Sequence, residues 1–152
     1  MGLLHSLRIS ASALAAQRLR MDVVANNVAN METTRTADGG PYQRQTVVFQ
    51  EQGREVAFRD FLHHASGGWE RGGGVEVRAV VEQDTPSRKV FDPAHPDADA
   101  DGYILLPNID IVTEMTDLTS ASRAYEASVT VLNATKQLAL NAAHRALGAD
   151  GD

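Results

Sequence analysis

Cysteine is absent from the 152 residues, which removes disulfides, thiolate metal sites and a cysteine nucleophile together. The compartment stays open, because a chain without thiols tolerates any redox poise. Aromatic side chains make up only 5% of the chain, with one tryptophan, so bulky core anchors are few. Positive charge is also short: 14 basic against 20 acidic residues leave a net charge of −6. That argues against a nucleic-acid or anionic-membrane surface, since both need a concentrated basic patch. No apolar run reaches the roughly 18 residues of a membrane span. The amino-terminal stretch lacks a basic region followed by a continuous apolar block, so a cleaved secretory signal is not expected. Catalytic patterns are missing as well. There is no His-Glu-x-x-His, Gly-x-Ser-x-Gly or Ser-x-x-Lys. His63-His64 would diverge by about 100° on a helix and do not converge on a metal. The reading is a non-enzyme, with no metal, no cofactor and no small-molecule substrate.

What the chain does have is length of helix. From Ile109 to Leu147 it runs 39 residues without Gly or Pro. Ile111, Leu118, Tyr125, Leu132, Ala139 and Ala146 recur every seven residues, with Met115, Val129 and Ala143 on the line beside them. That is the a/d seam of a helix packed lengthwise against another helix. Pro107, Asn108, Asp110 and Glu114 signal its start and Gly148 its stop. Such a helix would be about 58 Å long at about 1.5 Å per residue, whereas a compact domain of this size is only about 40 Å across. It is expected to outrun the cover its own domain can supply.

A second seam runs from Leu3 to about Asn30, with Leu7, Leu14, Met21 and Val28 in line and Leu4, Ala11 and Ala25 as companions, interrupted by Arg18. Pairing the two helices, within one molecule and then between copies, is the simplest way to bury both seams. Polar seam residues (Arg18, Ser122, Lys136) can fix register and partner choice. Asn26, Asn27 and Asn30 crowd the helix end and predict a specified termination or contact.

Between the helices the composition turns toward strand. Tyr42–Phe49 and Val75–Gln83 predict strands, the second with Val75, Val77, Ala79 and Val81 on one face. Arg88–Phe91 and Tyr103–Leu106 predict two shorter ones, and Glu55–Ala65 a short amphipathic helix. The Gly-rich run Gly67–Gly74 lacks the Gly-Lys-Ser/Thr ending of a phosphate loop and reads as a connection around Trp69. Asp97-Ala98-Asp99-Ala100-Asp101-Gly102 matches the first half of an EF-hand loop, but Asn108 stands where the bidentate Glu belongs. A turn rich in Asp and Gly is the better account. The fold class predicted is α+β, mainly α, with long terminal helices paired as a coiled-coil-like core. The divisions are an N-terminal helix (1–32), a β-rich insertion (33–107) and a C-terminal helix with a short tail (108–152).

An N-terminal helix ending in Asn26-Asn27-x-Ala29-Asn30-x-x-Thr33 resembles the signature of the axial proteins of the bacterial flagellum, the rod, hook and hook-associated components. Gly40-Pro41-Tyr42, Val47-Val48-Phe49-Gln50 and the run Phe91-Asp92-Pro93-x-His95-Pro96 through Gly102-Tyr103 narrow the likeness to the proximal-rod members. So do Glu114-Met115, Ser122-Arg123-x-Tyr125-Glu126-Ala127 and Val131-Leu132-Asn133-x-Thr135-Lys136. The likeness covers nearly the whole chain. Ser128 stands where the family usually has Asn, and the stretch Glu51–Arg71 is longer than the family pattern.

The resemblance implies a structural subunit of the basal-body rod, spanning the periplasm and transmitting torque. It implies export through the flagellar type III apparatus without a cleaved signal. The implied partners are copies of itself, other rod proteins, and adaptors at the MS ring and export gate; nucleic acid is not among them. Helical assembly through the terminal helices assigns the interface to Leu7, Leu14, Met21, Val28, Ile111, Leu118, Tyr125 and Leu132, with Asn27 and Asn30 locking the helix end. Two rival readings are a closed coiled-coil scaffold and a calcium-responsive module on Asp97–Asn108.

Overall fold

The structure is a computed structural model that describes residues 2–37, 39–52 and 73–148. The short helix expected at Glu55–Ala65, His63-His64, Trp69 and most of the Gly-rich run lie outside the described residues. The elements are α1 (Gly2–Ala29), β1 (Gln45–Glu51), β2 (Val75–Glu82), β3 (Arg88–Phe91), β4 (Tyr103–Leu106) and α2 (Ile111–Gly148). This is the mainly helical α+β order expected, two long helices enclosing a small β part.

Each boundary has a local cause. Asp110 caps α2: its carboxylate accepts the backbone N–H of Val112 and of Thr113, both at 3.3 Å, and the Thr113 hydroxyl at 2.6 Å. The Thr113 hydroxyl, then the Val112 N–H, hold the Asp110 carboxyl below its usual pKa. The helix therefore opens at Ile111, two residues later than the apolar pattern alone predicts. At the other end of the chain, Asn30 closes α1. Its backbone N–H and its Nδ2 both donate to the Asn26 carbonyl, at 3.1 and 2.9 Å, and its Oδ1 accepts the Thr33 hydroxyl.

β1 and β2 form one two-stranded sheet, β3 and β4 another. Gln52 N–H donates to Gly74 O at one end of the first ladder and Gln83 N–H to Arg44 O at the other, so its strands run antiparallel. The strand expected from Tyr42 begins only at Gln45. Tyr42 is drawn instead into a closed loop, its N–H on Thr33 O, with Gly39 and Gly40 at φ +84° and +85° supplying the reversal. In β2 the buried alternation stops at Ala79, and Val81 is exposed. β3 and β4 are antiparallel with Arg88 opposite Leu106 and Phe91 opposite Tyr103. Their connection is the Asp-rich turn. Asp99 Oδ1 accepts the N–H of Asp101 and of Tyr103, and Gly102 stands at φ +80°, where a Cβ would in addition meet the Phe91 ring at 2.9 Å.

The chain divides into two compact units, residues 1–17, 49–78 and 124–152 in one, and 18–48 and 79–123 in the other. In the first, Ser12 Oγ donates to Ile9 O and accepts the Val75 N–H at 3.1 Å, pinning the start of β2 to α1. In the second, Val23 and Val24 of α1, Ile104 of β4 and Ala121 of α2 are buried. Among the described residues, no helix is long and apolar enough to cross a membrane.

Candidate functional site

The chemistry-bearing constellation of this chain is a polar lock in the second unit. Asn27 sits on the inward face of α1 beside Val23 and Val24, and is fully enclosed. Its amide uses all of its bonding capacity. Nδ2 donates to Gln45 O at 2.9 Å and to Glu114 Oε2 at 3.0 Å; Oδ1 accepts the Gln45 N–H at 2.9 Å and the Tyr42 hydroxyl at 3.0 Å. One side chain thus ties α1 to the first residue of β1 and to the first turn of α2.

Glu114 is equally enclosed, and a buried carboxylate needs a cation. Arg44, itself mostly buried, supplies one: Nε donates to Glu114 Oε1 at 2.6 Å. Its Nη1 donates to Gln83 Oε1 and Thr46 Oγ1, and Nη2 reaches Asp117 Oδ2 at 3.4 Å. Asp117 in turn accepts Arg20 Nη2 at 3.0 Å, a pair about one third exposed. The run Arg20–Asp117–Arg44–Glu114 alternates charge, so every buried charge has a neighbour of opposite sign. Tyr42, at the rim, has its phenol pKa pushed up, first by burial and then by the Glu82 charge, against a lowering bond from Asn26.

Nothing in this arrangement resembles a reaction centre. The polar groups face one another, and among the described residues no three His, Asp or Glu side chains come together as a metal-holding group. Of the Asp-rich turn, Asp97 takes the Thr34 hydroxyl at 2.7 Å and Asp99 serves the turn itself.

The residues assigned to the assembly interface fall in three groups. Leu7, Leu14, Met21 and Val28 are half-buried along the flank of α1, and Tyr125 and Leu132 are half-buried on α2. Ile111 and Leu118 are exposed. Asn27 and Asn30 act inside the chain, the first as the hub of the lock and the second as the cap of α1. The enclosed line of α2 is Glu114 and Ala121, continued by half-buried Ser128 and Thr135, small or polar residues one seven-residue line away from the leucines. Ser128 satisfies its own hydroxyl on Ala124 O at 2.8 Å.

Sequence reasoning missed the roles of Glu114, Arg44 and Tyr42. Glu114 was legible only as negative charge at a helix start. The available signal was its place, with Asp117, on the small-residue face rather than on the outer one.

Two long helices bound by a satisfied polar lock, with large apolar residues left open on their outer faces, define a structural protein built to be packed against others. Two family profiles match the two ends of the chain: flagella basal body rod protein over residues 7–35, and flagellar basal body rod FlgEFG protein C-terminal over residues 100–144. The flagellar basal-body rod protein FlgC of Bacillus subtilis is 47% identical over 143 residues, covering 91% of this chain and 94% of the relative. FlgC of Borreliella burgdorferi is 42% identical over 147 residues, and that of Salmonella typhimurium 41% over 140, with coverage of 91–92% of this chain. The chain belongs to the FlgC family of flagellar basal-body rod proteins, structural components of the basal body and not enzymes.

Proposed function

We propose that this subunit occupies the proximal segment of the rod and polymerises helically, with its terminal helices buried against neighbouring copies and other rod proteins. The observation that carries the reading is the amount of apolar side chain the helices leave open. Leu4 is 75% exposed, Val112 67% and Leu138 63%, and Met115 and Val131 are more than half exposed. At about 25 cal/mol per Å² of apolar area removed from water, burying such stripes supplies a substantial driving force for association. Head-to-tail contacts that do not close generate an open helical array, the geometry a shaft requires.

The lock gives the subunit its stiffness. Torque passed along a rod loads one helix against the other, and Asn27, Glu114 and Arg44 resist their sliding by hydrogen bonds in a water-excluded setting. Delivery through the flagellar type III export apparatus without a cleaved signal, a position spanning the periplasm, and contacts with adaptors at the MS ring and export gate complete the proposal.

The test is genetic. In a strain lacking the gene, variants Leu118→Asp and Val131→Asp are expressed in place of the natural chain. Both positions are exposed, so the free subunit folds, whereas a charge driven into a buried contact is costly. The expected result is a subunit that is made and exported but leaves cells non-motile. Normal swimming by both variants would mean that these faces are not buried between subunits.

A further inference from the structure

The turn between β3 and β4 is held in part by a histidine placed where this chain elsewhere uses a carboxylate. Four times among the described residues a side chain accepts the backbone N–H two residues further on. Asp92 takes the N–H of Ala94 at 3.2 Å, Asp99 that of Asp101 at 3.0 Å and Asp110 that of Val112 at 3.3 Å. In the fourth case the acceptor is a ring nitrogen: His95 Nδ1 takes the Asp97 N–H at 3.1 Å. The difference shows in acid. A carboxylate stays ionised down to about pH 4, whereas an imidazole gains its second proton between about pH 5 and 8. A nitrogen that accepts an N–H carries no proton, so the His95 ring is neutral with its hydrogen on Nε2. Once protonated, Nδ1 is a donor facing a donor, and its bond to the Asp97 N–H is lost.

The new donor has an acceptor close by, for Asp97 Oδ2 lies 4.0 Å from His95 Nδ1. The other charged side chains of the turn are Asp92, Asp99 and Asp101; β3 carries Arg88 and Lys89, and the loop that follows α1 carries Glu32 and Arg35. Among the described residues, only Asp97 brings a carboxylate oxygen within 4.0 Å of a ring nitrogen of His95. That same Oδ2 accepts the Thr34 hydroxyl at 2.7 Å, which straps the loop after α1 to the turn. Closing the gap between ring and carboxylate to the roughly 2.8 Å of a charge-assisted bond draws Oδ2 away from Thr34.

We propose that His95, Asp97 and Thr34 form an acid-released strap. With the ring neutral, His95 fixes the Asp97 backbone, and the Asp97 carboxylate holds Thr34. A proton on His95 breaks the first bond and diverts the carboxylate from the second, freeing the loop after α1 from the hairpin turn. All three residues lie in one compact unit, so the strap operates in the free subunit, whatever that subunit assembles with.

The test is a titration of the isotope-labelled full chain by NMR from about pH 8 to about pH 5, above the range where carboxylates take up protons. At the alkaline end the His95 ring should show a bare Nδ1 and a protonated Nε2. As the ring gains charge, the Asp97 amide should shift with the same midpoint. Its protection against exchange should fall about tenfold, the worth of one hydrogen bond. The Thr34 resonances should move with it. His95→Asn puts a side-chain oxygen in place of the ring nitrogen, an acceptor for the N–H two residues on at every pH. In that variant the Asp97 amide should stay protected throughout. A proton on Nδ1 at the alkaline end, read in the unmodified chain, overturns the proposal whatever the variant does. So does an Asp97 amide that ignores the His95 titration, or a step that persists in His95→Asn and so belongs to another group. Thr34 resonances that stay fixed while Asp97 moves overturn it too, since the turn would then loosen without releasing the loop.

Discussion

Glu114 and Arg44 divide the work of the lock unequally with Arg20 and Asp117, and burial explains the division. Removing Arg44 strands the Glu114 carboxylate where water cannot reach it. Breaking a buried pair from one side costs about 3–5 kcal/mol, whereas a partly exposed pair is worth about 0–1 kcal/mol. Arg44→Ala is therefore expected to lower the urea unfolding midpoint far more than Arg20→Ala; equal small effects would show that water reaches Glu114. Tyr42 adds a dependence on alkali. Burial, and after it the Glu82 charge, raises its folded pKa above that of a free phenol, so the neutral phenol is the form that stabilises the fold. That contribution is complete below the unfolded pKa and is lost as pH rises through the folded one. Stability should thus fall above about pH 10, and Tyr42→Phe should flatten this part of the profile while losing about 1 kcal/mol at neutral pH with the bond to Asn27. An unchanged alkaline slope in that variant would assign it to another group.

At the scale of elements, the helices differ along their length in how firmly they are held. α2 has Glu114 and Ala121 enclosed near its start, while from Ala124 to Arg145 no residue is fully buried. Amide exchange in the free subunit should accordingly be slowest around Glu114–Ala121 and rise toward Leu138–Arg145. Uniform protection along α2 would contradict this. The start of β2 packs closely on α1: a Cβ at Gly74, where φ is +104°, would come to 2.5 Å from Ser12 Oγ. Gly74→Ala should destabilise the subunit in thermal melts, and Ser12→Ala should recover only part of the loss, since the strained backbone remains.

These same elements mark what the sequence could and could not convey. Helical period and caps made α1 and α2 legible, and the Pro-rich loop between two short segments placed β3 and β4 to the residue, because those signals are local. The lock was not legible. Glu114 and Arg44 are 70 residues apart and Asn27 and Glu114 are 87 apart, and no local pattern distinguishes a helix-start glutamate that serves the dipole from one that is enclosed. The leucine lines were visible as periodicity, but the line beside them is Glu114 and Ala121, enclosed, and Ser128 and Thr135, half-buried, residues that give little hydrophobic signal.

For the whole molecule, the outer faces decide how much helix a free subunit can keep. α1 and α2 hold 28 and 38 residues, yet their fully enclosed side chains are few, and large apolar ones stand open on both. An isolated helical segment shorter than about 12–15 residues is marginal in water, and the stability of long helices in proteins comes mainly from packing an apolar face. Away from the lock that packing is partial: Ser10 and Ala16 of α1 are buried and Leu7, Leu14, Tyr125 and Leu132 half-buried, while Leu4, Val131, Leu138 and Leu140 stand open. On the helical assembly proposed above, folding of these helix ends and assembly become one equilibrium, linked by mass action. Circular dichroism of the dilute chain should report less helix than the two elements contain, with helicity and melting temperature rising together as concentration increases. Leu118→Asp should abolish the concentration dependence while leaving the dilute spectrum unchanged, because it blocks the contact without touching the lock. If the dilute chain already has its full helix content and its melting temperature does not move with concentration, the helices are ordered by their own subunit, and assembly is the docking of preformed rods.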